Sequence, residues 1–377
     1  MQNILIIFGG KSVEHEISII TGVLALNSTN REKYNVIPAY IDRSGIWYTG
    51  EELFNVETFK DFKNNKLKVI TLISGRNELF ILKDKKLKPF ITIDCVLNCC
   101  HGASGEDGSL SGLIKLCGIA SASPDVCASA VAMDKSVSKL IAKAIAIKTV
   151  PALKICKCDY EKRKRIADKY IAEKILFPVI VKPSRLGSSI GISTANCIES
   201  LEKAIDLAFL YDEIILVEKL LLNKKEINCA AYWDGDEVIV SECEQPPLKT
   251  EFLTFEDKYL SGGNKERKTP ARISKKLSDR IKSATKQIYK RLNIKGIIRM
   301  DFLIEGEEVY FNEINTVPGS LAYYLFCNDI KEMKGLIDKL LQEGIKQRQK
   351  EDELLTDYTG QVLSNLTRNG GKCLKKR

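Results

Sequence analysis

The sequence predicts a multidomain protein of mixed α/β and α+β class that opens on a doubly wound parallel sheet. Three observations carry that expectation. The chain has 377 residues, beyond the roughly 100 to 200 of one domain, so two or three domains sharing clefts are expected. Its first segment runs from an apolar stretch through Gly9-Gly10 to a helical pattern and a second apolar stretch, the start of a βαβ unit. Near the other end, IRMDFLIEGEEVYFNEIN alternates with period two on both sides of Gly306, which reads as a hairpin in a different region.

Taken in order, the expected elements are a strand at 3–8, a helix at about 17–27 and a strand at 34–42. Ligands of such sheets collect at the carboxyl ends of the strands. A lysine-rich, hairpin-like stretch follows from 60 to 88. A buried strand at 92–97 then leads into CCHGASGEDGS, a second Gly-rich turn expected to face the same crevice as the first. Between 124 and 216 the patterns predict a helix at 128–144, a strand at 178–182 and a helix at 198–210. A strand at 213–218 opens a third region, which ends with a helix at 274–292 and the Gly306 hairpin. The expected domains are 1–123, 124–216 and 217–349, followed by a basic tail, 350–377, with no assigned chemistry.

Composition narrows the function classes. Hydrophobic residues make up 44% and charged residues 28%, as in a soluble globular protein. No apolar run approaches the ~20 residues that span a bilayer, and MQNILIIFGG lacks a basic n-region and a cleavage site, so it reads as a buried strand and no membrane partner is expected. The twelve cysteines show no paired CxxC spacing and the histidines are His15 and His101, which argues against zinc. Cysteines in apolar runs, such as Cys95, behave as small hydrophobes and point to a reducing, cytoplasmic compartment. The net charge of +9 comes without interleaved aromatic and basic motifs, so nucleic acid is not the expected partner. A positive field also suits a nucleotide-using enzyme.

Two constellations carry chemistry. In FPVIVKPSRLGSSIGIS (177–193) a buried strand delivers Lys182 into a loop. There Gly187 and Gly191 permit close backbone approach, and the Ser188 and Ser189 N–H and O–H groups can satisfy phosphate oxygens. The loop is neither GxxxxGK[ST] nor GxGxxG, so alone it would be an ordinary Gly/Ser loop. In the hairpin, Glu313 and Asn315 share a face, and folding about Gly306 returns Asp301 to it. Two carboxylates and an amide oxygen form a hard oxygen set suited to Mg²⁺. Solvated hairpin acids are the plainer reading, but acids inside apolar strands cost stability unless paired. Arg299 shares parity with Asp301 and could stabilise a developing phosphoryl or oxyanion charge.

Together these segments resemble the D-alanine:D-alanine ligases of the ATP-grasp superfamily. The match runs in order through FGGKSVEHEIS, HGASGEDGS, SAVAMDKSVSK, VIVKPSRLGSSIG, LVEKLLLNKKEIN, DKYLSG, GIIRMDF and NEINTVPGS, over about residues 1 to 345. The resemblance implies an N-terminal domain followed by a two-part ATP-grasp fold that encloses ATP between antiparallel sheets. It implies ATP and Mg²⁺, with Mn²⁺ as an alternative ion, and a ligation in which one D-alanine carboxylate attacks the γ-phosphate and a second amine attacks the acyl phosphate. By position, Lys135 and Lys182 match the lysines that hold phosphates, with Ser189 in the loop beside them. Glu218 and Lys219 fall where adenine is recognised, and Glu226 where the ribose is held. Lys258 and Tyr259 match a mobile loop that closes over the site and excludes water. Glu14 matches the acid that receives the first amino acid's ammonium, with Ser188, Tyr259 and His101 around that substrate. Glu106 and Asp107 support the turn, and Glu16 is structural. Arg299 and the Gly319 N–H match the oxyanion stabilisers, and Asp301, Glu313 and Asn315 the magnesium ligands.

Two departures bear on specificity. After Pro318-Gly319 the chain reads SLAYYLF, with Tyr324 roughly where the family has a serine for the second substrate's carboxylate, and ASASPDVCAS replaces the usual residues before the central helix. Tyr259, in place of a histidine, resembles the dipeptide-forming members. The leading expectation is D-alanyl-D-alanine synthesis for peptidoglycan by a cytoplasmic homodimer. The alternatives are the same mechanism with another second amino acid such as D-serine, or a catalytically silent nucleotide or anion binder.

Overall fold

The apolar run QNILIIFG forms β1 (Gln2–Gly9), buried from Ile4 onward. It pairs in parallel with β2 (Tyr34–Ile41), reached through α1 (His15–Ser28), and with β7 (Cys95–Asn98), which pairs in parallel with β8 (Ala120–Ser121). The computed structural model describes residues 1–63, 66–246 and 268–355. Lys258 and Tyr259, and the residues from 356 on, lie outside the described residues.

The parallel sheet expected at the N-terminus is half of a mixed one. Four antiparallel strands, β3 (Trp47–Thr49), β4 (Lys68–Leu72), β5 (Glu78–Lys83) and β6 (Lys86–Thr92), extend it to the order β6-β5-β4-β3-β2-β1-β7-β8. Connections as short as Asp84-Lys85 between β5 and β6 permit only antiparallel neighbours; a parallel pair needs a crossover of a dozen or more residues. The strand expected at 92–97 is interrupted for the same reason, because the chain passes from β6 at one edge to β7 beside β1. After β7 come two short helices, α2 (Ala103–Glu106) and α3 (Ser109–Leu116).

The helix expected at 128–144 is two helices, α4 (Val126–Met133) and α5 (Lys135–Ala144), broken at Asp134. An Asp at an N-cap accepts from otherwise orphaned helix N–H groups, which outweighs the apolar periodicity running through it. Next come β9 (Ala152–Cys156), α6 (Lys157–Lys174), β10 (Val179–Pro183), β11 (Ser193–Ala195), α7 (Ile198–Ala208) and β12 (Ile214–Lys219), whose strands form an antiparallel sheet in the order β11-β10-β12-β9. The boundary expected at 216/217 therefore falls inside β12, which is paired on both sides.

A third sheet, ordered β14-β13-β15-β16, contains β13 (Lys225–Asp234), β14 (Glu237–Val240), β15 (Ile298–Glu305) and β16 (Glu308–Asn315), with α8 (Lys275–Arg291) packed on it. The last helix among the described residues, α9 (Met333–Asp352), returns to the first sheet. Its Leu336, Ile337, Leu340 and Leu341 share a core with Ile4, Ile6 and Phe8, and the Tyr34 hydroxyl donates to Asp338. Each such fully buried side chain contributes roughly 1.5–3 kcal/mol, so α9 clasps the first strand and fixes the first sheet against the third.

Candidate active site

The break at Asp134 organises the site. Its carboxylate accepts from the N–H groups of Ser136 at 2.9 Å and Val137 at 3.2 Å, and from the Ser184 hydroxyl at 2.7 Å. The start of α5 is thereby stitched to the exit of β10. Lys135, the first residue of α5, donates to the Leu186 carbonyl at 2.7 Å and pairs with Glu313 at 3.1 Å. One turn later Lys139 lies 2.9 Å from Glu218 Oε1, while Glu218 Oε2 is 2.7 Å from Lys182 Nζ. Lys182 also donates to Asn312 Oδ1 at 3.1 Å. Lys139, Lys182 and Glu218 are all buried.

On the third sheet, Asp301 stands opposite Glu313 and Arg299 opposite Asn315, so the four share one face. The register shifts between Asp301 and Phe302, which leaves Asn312 as the extra residue of a bulge; a bulge re-aims a side chain that strict alternation would send to the other face. Arg299 grips Asp301 through Nε at 2.7 Å and Nη2 at 2.9 Å. Asn315 Nδ2 donates to Asp301 at 3.1 Å, so its amide oxygen is the atom left for another partner.

The third corner joins the first sheet to the Gly/Ser loop. Glu14, at the N-cap of α1, accepts from the Ser188 hydroxyl. Two glycines permit this approach: a Cβ on Gly102 would sit 2.6 Å from Glu14 Oε2, and one on Gly187 3.0 Å from the carboxylate. Ser188 and Ser189 both have φ in the left-handed region, which is uncommon for residues with a side chain and costs energy in the free loop. His101 Nε2 lies 2.9 Å from the Thr21 hydroxyl oxygen, which also accepts from the Ser320 N–H at 3.1 Å. His101 is thus coupled to the turn that starts at Gly319. The two Gly-rich turns face one crevice as expected: residues 9–12 and 100–105 line a single cavity of about 290 Å³.

Two family models match this chain, one described as D-ala D-ala ligase N-terminus over residues 3–123 and one as D-ala D-ala ligase C-terminus over 141–343. The chain belongs to the D-alanine:D-alanine ligase family. It is 41% identical to the D-alanine--D-alanine ligase of Thermosipho melanesiensis over 353 residues, covering 92% of this chain and 94% of that protein. It is 37% identical over 360 residues to that of Caldicellulosiruptor bescii, covering 92% and 96%. Among solved structures, the D-alanine-D-alanine ligase from Helicobacter pylori superposes with a TM-score of 0.74 at 31% identity, covering 91% of this chain and 98% of that one. The VanG D-Ala:D-Ser ligase from Enterococcus faecalis does so with 0.72 at 28%, covering 92% and 99%.

Within this family member, burial acts differently on each charge. Burial would raise the Glu313 carboxyl, but Lys135 and Lys182 hold it down at about 2. Glu218 is likewise lowered against its own desolvation by Lys182 and Lys139. Desolvation lowers Lys139 to about 8, with Glu218 opposing. Burial disfavours the Arg299 charge, yet Asp301 and Tyr324 keep it well above its ordinary value. Asp301 is raised by burial, with Arg299 opposing. In the corner near Glu14, desolvation and then Arg299 bring His101 down to about 3, while desolvation and then Glu14 push Glu106 up to about 8. The 3.7 Å approach of His101 to Glu106 is therefore a contact between uncharged groups at neutral pH.

The fold brings together Glu14 with Ser188, Lys135 with Glu313, Lys182 with Glu218, and Arg299 with Asp301 and Asn315. Lys219 and Glu226 lie exposed at strand ends, the latter 3.1 Å from Lys224. Among the described residues no cluster of three His, Cys, Asp or Glu could hold a metal; two carboxylates and the Asn315 amide oxygen remain the candidate set. Sequence reasoning missed Lys139, Asp134, Thr21 and Asn312. Lys139 follows Lys135 by four residues, one helical turn on the same face, and Asp134 precedes the α5 sequence as a helix start signal. Thr21 and Asn312 left no local signal.

Proposed function

We propose that this chain is an ADP-forming ligase that joins two D-alanines into D-alanyl-D-alanine, a precursor of peptidoglycan, through an acyl phosphate. The observation that carries this reading is the meeting, in a member of this family, of four buried or half-buried cations (Lys135, Lys139, Lys182 and Arg299) with three carboxylates (Glu218, Asp301 and Glu313). Such a cluster keeps one positive charge in excess for phosphate oxygens. The central and third sheets are read as the two halves that enclose ATP, with the division placed after Lys219 so that β12 stays whole.

In this reading Glu14 and Ser188 hold the ammonium of the first D-alanine, with His101, neutral and anchored on Thr21, bordering that subsite. One carboxylate oxygen of this D-alanine attacks the γ-phosphorus and ADP departs. The amine of the second D-alanine then attacks the acyl carbon, loses a proton and expels phosphate. Lys135, Lys182 and Ser189 neutralise and orient the phosphates. Glu218 and Lys219 border the adenine and Glu226 the ribose. Arg299 and the Gly319 N–H face the oxyanion of the tetrahedral intermediate, where preorganised donors are most effective. Lys258 and Tyr259 close the site from outside the described residues. Asp301, Glu313 and Asn315 fit Mg²⁺ or Mn²⁺: Glu313 stays ionised, and the Asn315 amide turns its nitrogen to Asp301 and leaves its oxygen available. An ion held there would supply positive charge that polarises the phosphates. We further propose a cytoplasmic homodimer; no helix among the described residues is long and apolar enough to cross a membrane.

One observation favours a second reading, the same chemistry with another second amino acid such as D-serine. Tyr324 helps to raise the Arg299 guanidinium and stands roughly where the family has a smaller serine, which favours a differently shaped second subsite. The deciding experiment supplies purified protein with ATP, Mg²⁺ and single or paired D- and L-amino acids, follows phosphate release and weighs the products. Turnover with D-alanine alone is expected. Turnover only with a mixed pair replaces the second substrate, and nucleotide binding without turnover leaves the silent binder.

A further inference from the structure

Among the described residues, Lys139 is a buried charged group with no assigned role. It is 3% exposed, and its Nζ makes no hydrogen bond although Glu218 Oε1 is 2.9 Å away. An ammonium that is buried and incompletely paired costs stability, and an apolar residue of similar volume would often be no worse for folding. The position therefore calls for a reason other than packing.

The surrounding geometry supplies one. In the antiparallel β10–β12 pair, Ile180 faces Glu218 and Lys182 faces Leu216, so Lys182 and Glu218 are diagonal neighbours on the same side of the sheet, within reach of long side chains. With one lysine, Glu218 and Lys182 would form a closed, neutral pair. With Lys139 on its other oxygen, the carboxylate is shared between two ammonium groups, and the trio keeps a net positive charge. The same face of α5 sets Lys135 on Glu313 of β16 and Lys139 on Glu218 of β12, so one helical turn ties the third sheet to the central one.

We propose that Lys139 is a positioning residue for nucleotide binding: by sharing Glu218 with Lys182, it prevents that carboxylate from neutralising Lys182 and leaves the Lys182 ammonium for the phosphates. The proposal rests on the ATP-dependent reading above. Lys139 is the only member of the trio not matched to nucleotide binding by resemblance, and it acts through Glu218 rather than by touching the ligand.

The groups facing Lys139 are Glu218 from β12, Lys182 from β10 and Glu313 from β16, with Lys135 on its own helix. Desolvation leaves Lys139 titrating near 8, so raising the pH through that value removes the second cation and lets Glu218 close on Lys182. ATP affinity should fall over that window.

The test is calorimetric ATP binding to the full chain between pH 6.5 and 9.5, which needs no turnover, with steady-state kinetics alongside. At pH 7, Lys139→Met should weaken ATP binding by about tenfold, the scale of a charge-assisted contact, raising the KM for ATP more than it lowers kcat and removing the alkaline fall. Lys139→Arg should recover most of the affinity and hold it across the same range, because guanidinium stays charged. An alkaline fall that persists in Lys139→Arg, or wild-type affinity in a folded Lys139→Met, overturns the proposal. Should Lys139→Met not fold, the arginine variant alone decides. ATP binding without phosphate release for any amino acid would sink the ligase reading while leaving this test valid.

Discussion

Two buried polar clusters meet in this molecule, and burial has opposite consequences in them. In the cluster around Lys135, Lys182 and Arg299 each carboxylate has a cation within about 3 Å: Glu313 with Lys135, Glu218 with Lys139 and Lys182, Asp301 with Arg299. Glu313 and Glu218 are held below their ordinary values, because close cations offset the cost of leaving water, whereas Asp301 is raised by burial with Arg299 opposing. In the His101–Glu106 corner the partners are 3.7 Å apart and off hydrogen-bond distance, and both groups discharge. The lesson is that depth alone does not set ionisation; the position of the nearest counter-charge does. Under the proposed function, fixed charge suits phosphates, and a neutral imidazole would not repel a substrate ammonium.

Substitutions in the two clusters should differ in the size of their effects. The largest effect is expected from Glu313→Ala, which should leave near-ultraviolet circular dichroism unchanged yet cut ADP formation by about 10²- to 10³-fold or more; unchanged turnover would remove Glu313 from the metal and phosphate machinery. Next, Glu218→Gln leaves Lys139 and Lys182 facing each other without a counter-charge and should cost about 3–5 kcal/mol in urea denaturation. The equivalent change in the other cluster, Glu106→Gln, should cost less than about 1 kcal/mol at pH 6, because it replaces a carboxyl that is already protonated. Equal losses for the two would end the distinction.

The pH dependence separates the clusters again. His101, lowered to about 3 from an ordinary 6.5, binds fewer protons native than unfolded, so its contribution is whole above pH 6.5 and is lost as pH falls toward 3. Glu106, raised to about 8 from an ordinary 4.5, binds more protons native than unfolded, so its contribution is whole below 4.5 and declines as pH rises to 8. Urea midpoints of Glu106→Gln should therefore gain on those of the wild type between pH 5 and 8, and a constant difference would place the proton elsewhere. The smallest effect is expected from Tyr324→Ala, which should raise the KM for the second amino acid more than that for ATP. Equal changes would refute its place in that subsite.

Much of this protein was legible in the chain. The order of motifs, Lys135, Lys182, Glu14, Ser188 and the face shared by Asp301, Glu313 and Asn315 follow from local periodicity and from family resemblance, because strands alternate and turns demand particular residues. The antiparallel half of the first sheet, the assignment of β12 to the central sheet and the break at Asp134 were not, since strand partners and capping contacts depend on residues far away in sequence. Asn312 reaches Lys182 through a bulge that violates the alternation a reader would apply. Lys139 meets Glu218, seventy-nine positions on, and the protonation of His101 and Glu106 follows from what surrounds them. Sequence supplies the residues and their local faces; charge state and partnership are long-range electrostatic properties, decided only when packing brings those faces together.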